Sequence, residues 1–224
     1  MYIYNDSSEK MWRNTLAEEK VKARQIYNLC KKSQNKREIV NANNRIMNAI
    51  EVIFFPYDNF NGRAWYFKTD KGFEISIKAF NQLIVRNNAV KQELKSIKKQ
   101  LKLMKKPPLD RIKSIHDYIC DNVEYAYEDK ARTTLFDALF NHRVVCCGYS
   151  LLFKALCDIS DISCQCVANK DHGWNRVVID DIVYYIDATW DDVLGNDKFF
   201  MKSYADFSKI HPMHTGYDKN IWLK

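Results

Sequence analysis

The chain has 224 residues, 46% of them hydrophobic and 28% charged, with 6 Gly and 4 Pro. That is enough chain for a good-sized hydrophobic core without metal or disulfide staples, and the composition excludes collagen-like, low-complexity and disordered classes. The net charge of +7 is unevenly spread: residues 1–107 carry 22 Lys+Arg against 10 Asp+Glu, and residues 108–224 carry 13 against 18.

Two regions are expected on this basis. The first, 1–107, is basic and mainly helical; the second, 108–224, holds the Cys, His and Trp residues that suggest chemistry. The border falls at Pro107-Pro108. The opening residues show neither the charged nor the apolar segment of a secretory leader, and no apolar run reaches membrane-spanning length, so a cytoplasmic location is expected. Seven cysteines, none in a C-x-x-C pair, point to reduced thiols rather than a disulfide scaffold or zinc knuckle.

In chain order, Trp12, Leu16, Val21, Ile26, Leu29 and Cys30 recur at helical spacing, which predicts a helix over 8–32. Ile39, Ile46, Met47 and Ile50 predict a second. The stretch RAWYFKTDKGFEISIKAF reads as two strands around the turn Thr69-Asp70-Lys71-Gly72, marked as a turn by its Asp and Gly, and so predicts a hairpin. From Val90, the series Val90, Leu94, Ile97, Leu101 and Met104 predicts a helix with a lysine face that ends at the two prolines. Lys dominates over Arg there and no aromatic residues are interleaved for stacking, so a solvated face or an acidic partner is preferred to nucleic acid.

Beyond Pro108, Leu109, Ile112, Ile115 and Ile119 predict one helix, and Leu151, Leu152, Phe153 and Leu156 predict another beginning near Gly148-Tyr149. Between them lies RVVCCGYS. A cysteine in the first turn of a helix has its thiolate favoured by the helix dipole and free N–H groups, and both Cys146 and Cys147 are placed there. ISCQCVA, HGWNRVVI and IVYYIDATW predict three strands, with Asp180-Asp181 as a two-residue turn between the last two. If that hairpin is of even length, paired residue numbers add to 361, so Arg176 opposes Tyr185 and Trp174 opposes Asp187. His172 then shares a face with Trp174, on the diagonal from Asp187 and within side-chain reach. A carboxylate holding an imidazole beside a thiol is the arrangement that makes a nucleophile. The other use of such residues is metal binding by Cys146, Cys147, Cys157, Cys164, Cys166 and His172, which the lack of a paired knuckle disfavours. No metal and no cofactor are expected.

The blocks VCCGYS (145–150), HGWN (172–175) and YYIDATWDD (184–192) resemble those of the transglutaminase-like superfamily, over roughly residues 108–210. The resemblance implies an α+β, papain-like core: a helix bearing the cysteine at its N-terminus, packed on an antiparallel sheet bearing His and Asp, here with a helical N-terminal extension. It implies Cys146 as nucleophile, His172 as base and Asp187 as its orienting partner, with Cys147 in a variable position. Trp174, Asn175, Trp190 and Tyr149 are expected to support them, and the Cys146 N–H to donate to an oxyanion. Arg143-Val144, where the family often has glycine before V-C, and Ser150, where alanine is commoner, depart from the pattern. The implied activity is cysteine-dependent acyl transfer on a protein or peptide substrate, as a protease or amidase. A transglutaminase or glutamine deamidase is the alternative, and a non-catalytic binding or scaffolding module with a vestigial triad is the reading of a different class.

Overall fold

A computed structural model describes residues 17–55, 65–127, 133–169 and 172–211. Trp12, Leu16 and the opening residues lie outside them. The chain divides into two compact units between Lys91 and Gln92, inside a helix and not at Pro107-Pro108.

The first unit contains α1 (Ala17–Lys32), β1 (Arg37–Val40), α2 (Asn44–Phe54), β2 (Tyr66–Thr69), β3 (Gly72–Ser76) and the start of α3 (Ile77–Gln100). Ile39 falls in β1 rather than in a helix: it precedes Asn43, whose side chain accepts from the Ile46 N–H and so starts α2 only there. The hairpin β2–β3 turns at Thr69–Gly72 and gains β1 on its other edge, giving an antiparallel sheet in the order β1-β3-β2. Gly72 is required by that closeness: its φ is +123°, and a Cβ would lie 2.3 Å from the Val40 carbonyl oxygen. The ISIKAF half of the predicted second strand is helical from Ile77, so α3 begins thirteen residues ahead of Val90. Ala23, Ile26, Met47, Ile50, Phe55, Trp65, Ile75 and Phe80 are among the buried residues of this unit's core.

In the second unit α3 ends at Gln100, before the prolines, and Lys102 in the left-handed region leads into a 3-10 turn, Leu103–Lys105. Then come α4 (Pro108–Asn122), β4 (Glu124–Tyr125), α5 (Leu135–Phe140), β5 (Arg143–Val144), α6 (Cys146–Asp158), β6 (Ser163–Ala168), β7 (Gly173–Ile179), β8 (Ile182–Ile186), α7 (Ala188–Leu194) and α8 (Tyr204–Ile210). β4 and β5 pair in parallel; β6, β7 and β8 form an antiparallel sheet in that order. The architecture is α+β: α6 packs on β6 and β7, with α4, α5 and α7 around it.

Two local features place the site. Asp180 and Asp181 both have positive φ, 48° and 62°, which is the two-residue hairpin turn whose twist suits the flanking strands. The β7–β8 register is therefore even, with Arg176 opposite Tyr185 and Ile179 opposite Ile182. The helix α6 starts at Cys146, two residues earlier than the apolar series alone indicated, with Val145 as N-cap. At its other end Lys98 Nζ donates to the Ile159 carbonyl and Arg111 Nη1 to that of Ser160 (2.9 Å), so two cations sit on the negative end of the helix dipole. Lys98 thus belongs to a structural contact rather than to a free lysine face.

Gly148 is fixed by the same crossing. A Cβ there would lie 2.4 Å from Val144 Cβ, in the strand β5 that leads into the helix. Gly148→Ala is expected to cost about 1–3 kcal/mol by overpacking and to displace the first turn of α6. Denaturant unfolding checks the first effect, and the reactivity of Cys146 in the folded variant checks the second.

Candidate active site

Cys146 is the first residue of α6 and is 5% exposed. Its N-cap, Val145, has no side-chain oxygen, so the first-turn N–H groups are not capped by it. Helices leave the N–H groups of their first turn short of intrahelical acceptors, and Cys146 opens that turn.

His172 stands at the entry to β7. Its backbone N–H donates to Asn169 Oδ1 (2.7 Å) and its carbonyl accepts from the Asn169 N–H (3.0 Å), which ties the end of β6 to the start of β7. Its Nε2 is 2.6 Å from Asp187 Oδ2, and Cys146 is near enough to the ring to act on its charge. With Nε2 engaged by the carboxylate, Nδ1 is the nitrogen left for the thiol. Burial disfavours charge on this imidazole, but the bond to Asp187 and the nearby Cys146 outweigh it and push its pKa up to about 9.

Asp187 follows β8 and caps α7: Oδ1 accepts from the N–H groups of Thr189 and Trp190, both at 3.1 Å. It is fully buried. Burial works to raise its pKa, yet the bonds from His172 and His211 hold the carboxyl below its ordinary value. The structure thus brings Cys146, His172 and Asp187 together from three elements.

The other expected residues fall into two groups. Trp174 and Trp190 wall the site, with ring centroids 6.0 and 5.6 Å from that of His172. Asn175 and Tyr149 point elsewhere. Asn175 Nδ2 donates to the Ser150 carbonyl (3.0 Å) and ties β7 to α6, because its side chain lies on the sheet face opposite Trp174. The Tyr149 hydroxyl lies 2.5 Å from Asp192 Oδ2 and 2.9 Å from the Val123 carbonyl, bracing α6 against α7 and the end of α4. Cys147 is a poor nucleophile by comparison: burial, then the neighbouring charge of Cys146, push its thiol up to about 11.

Sequence reasoning missed two histidines. His211, just past α8, has Nε2 2.7 Å from the same Asp187 Oδ2 and a fully buried side chain. An isolated His twenty-four residues downstream carried no spacing signal. His116, on α4, is 1% exposed, with Nε2 3.1 Å from Asp191 Oδ2 and Nδ1 3.1 Å from Asp117 Oδ1. Burial opposes its charge, but Asp191, Cys120 and Asp117 push its pKa up to about 10. Asp191 also accepts from the Phe199 N–H (2.8 Å), so this cluster fastens α4 and the chain after α7 beneath the site. Asp191 is the first Asp of the W-D-D block.

Two groups of described residues place potential metal ligands together: His172, Asp187 and His211, and His116, Asp117 and Asp197. Neither includes a cysteine. In the first, both imidazoles sit at hydrogen-bond distance from one oxygen, so the atoms are satisfied by each other. In the second, Lys113 Nζ already bridges Asp117 (2.5 Å) and Asp197 (2.8 Å). Cys164 and Cys166 are buried in the sheet, and burial raises both thiols. A cavity of about 600 Å³ is lined by residues that include Cys120, Glu124, Tyr125, Arg143 and Asp192, and by none of the three triad residues. Tyr125 connects it to the site: after burial, the charges of Cys146 and Asp187 help raise its phenol. Among the described residues no helix is long and apolar enough to cross a membrane.

Comparison with known proteins gives partial matches. A mouse protein, Kyphoscoliosis peptidase, is 24% identical over 149 residues, which is 56% of this chain and 22% of the mouse protein. The chain thus spans less than a quarter of that relative. Among solved structures, one described as a TGase superposes with a TM-score of 0.40 at 20% identity, covering 49% of this chain and 32% of the other. A candidate cysteine protease from Cytophaga hutchinsonii gives 0.38 at 24% identity, covering 45% and 37%. The family model for the transglutaminase-like superfamily matches residues 95–192, which begin within α3 and include Cys146, His172 and Asp187. Over residues 95–192 the chain is thus similar to the transglutaminase-like superfamily.

Proposed function

We propose that this domain is a cysteine-dependent acyl-transfer enzyme acting on peptide or side-chain amides, and that it works chiefly as a peptidase or amidase. The observation that carries the reading is the relay from Cys146 through His172 to a buried Asp187, with the thiol at an uncapped helix N-terminus.

In this reading His172 takes the Cys146 proton at Nδ1 while Asp187 holds Nε2–H and steadies the imidazolium. The Cys146 sulfur attacks the amide carbon, and the oxyanion is met by first-turn N–H groups, that of Cys146 foremost. His172 returns the proton to the leaving amine as the C–N bond breaks, leaving a thioester on Cys146. Water, deprotonated by His172, then adds to the thioester and releases the acid and the free thiol. An amine in place of water would give transamidation with the same three residues. Hydrolysis is favoured because water is the ever-present acceptor. The basic first unit would bring in acidic segments of a protein substrate.

The test is iodoacetamide alkylation across pH with peptide mapping, on wild type, Cys146→Ala and His172→Ala. The expected result is fast labelling at Cys146 alone well below pH 8, slowed in His172→Ala. His172 is cationic below its pKa of about 9 and neutral above it. The leaving amine therefore loses its proton donor, and amide turnover falls, as pH rises through about 9. Labelling of Cys146 no faster than that of the other thiols, unchanged without His172, would leave the binding-module reading in its place.

A further inference from the structure

The Asp187 carboxylate is surrounded by four donors: Thr189 N–H and Trp190 N–H on Oδ1, and the Nε2 atoms of His172 and His211 on Oδ2. A triad needs only one imidazole on that oxygen. The second is held as carefully as the first. His211 is the C-cap residue of α8, its backbone N–H bonded to the Phe207 carbonyl at 2.8 Å. Its ring lies in an aromatic box, 4.4 Å from the Phe207 centroid in a stacked arrangement, 4.7 Å from Trp174 and 4.9 Å from Trp190.

His211 Nδ1 is buried and has no hydrogen-bond partner among the described residues. An Nε2–H tautomer leaves only a lone pair there, which is the cheaper way to bury that atom, and it turns the N–H of the ring onto Asp187. The box walls also touch His172, so the two imidazoles and the carboxylate form one packed unit.

We propose that His211 is a positioning residue for the Cys146–His172 pair: it clamps Asp187 Oδ2 from a second side and shares the charge that would otherwise go wholly to His172. The proposal rests on the triad reading above. The clamp fixes which way the carboxylate faces, and it moderates how strongly the carboxylate holds the proton on His172. The titratable groups facing this unit are Cys146 on α6, Tyr125 on β4 and the two histidines themselves; the aromatic rings around His211 bring no charge.

The test separates a donor from a filler. His211→Phe keeps a ring in the box and removes the N–H; His211→Gln sets an amide N–H near the place of Nε2. Imidazole nitrogen NMR on the full chain gives the tautomer of His211 and the titration midpoint of His172. The expected results are an Nε2–H tautomer in the wild type, a His172 midpoint about one unit higher in His211→Phe, and return toward the wild-type midpoint in His211→Gln. An Nδ1–H tautomer, or a midpoint unmoved in a folded His211→Phe, overturns the proposal. If His211→Phe fails to fold, the wild-type tautomer still decides, an Nε2–H form supporting the proposal and an Nδ1–H form overturning it. A shifted midpoint together with an unreactive Cys146 would keep the clamp and sink the catalytic reading, so the two failures are distinct.

Discussion

Cys146→Ala is expected to lower amide turnover by roughly 10⁴ to 10⁶-fold, the scale at which triad enzymes lose activity when the nucleophile or its base is removed. His172→Ala should lose nearly as much, and the double variant no more than either alone, because the two groups act as one unit. Cys147→Ala should stay within about threefold of wild type, since a thiol pushed up to about 11 supplies little thiolate near neutrality. Peptide hydrolysis and hydroxamate formation from a glutaminyl peptide with hydroxylamine, run side by side, measure both acyl acceptors. Cys146 is a small side chain at a helix start, so its alanine variant should keep the wild-type melting temperature to within a few degrees. Activity surviving in a folded Cys146→Ala, or falling only in Cys147→Ala, would remove Cys146 from the mechanism.

The parts of this site that could be read from the sequence are those held by local rules. A two-residue Asp-Asp turn forces an even hairpin register, and that register alone carries Asp187 to the face of Trp174 and His172. The glycine of C-C-G-Y reports the closeness of Val144, whose Cβ would lie 2.4 Å from a Cβ at that position, a contact between neighbours in the chain. Asn175, in the same HGWN block, could not be assigned by proximity in sequence, because alternation along β7 sends its side chain to the opposite sheet face. His211 and His116 were illegible for another reason. Each meets its carboxylate through packing of elements far apart in the chain, 24 and 75 residues, and no periodicity encodes that. The helix boundaries of the first unit show the same limit: the lysine-rich series from Val90 was visible, but its continuation back to Ile77 depends on packing of Ile77, Phe80 and Leu83 into that unit's core.

Asp187 is where catalysis and stability are most tightly joined, and its two substitutions should come apart. Asp187→Ala removes the acceptor of four donors at a fully buried position. Two backbone N–H groups and two imidazole N–H groups would be left without it, and the cap of α7 would be lost. The expected destabilisation is about 3–5 kcal/mol, comparable to breaking a buried ion pair from one side. Asp187→Asn is the sharper probe. Its carbonyl oxygen can keep the cap bonds to Thr189 and Trp190, but its amide N–H₂ then faces Nε2 of His172 and can only donate. His172 must answer with an unprotonated Nε2, which puts its proton on Nδ1, toward Cys146, and removes the base. Turnover should fall by about 10⁴-fold, as when the orienting carboxylate of a serine-hydrolase triad is made an amide, with a stability loss well below that of the alanine variant. Denaturant unfolding of both variants beside their turnover tests this. If Asp187→Asn keeps turnover within tenfold of wild type, Asp187 is a helix cap and an anchor for two histidines, and the base at His172 is oriented by something else.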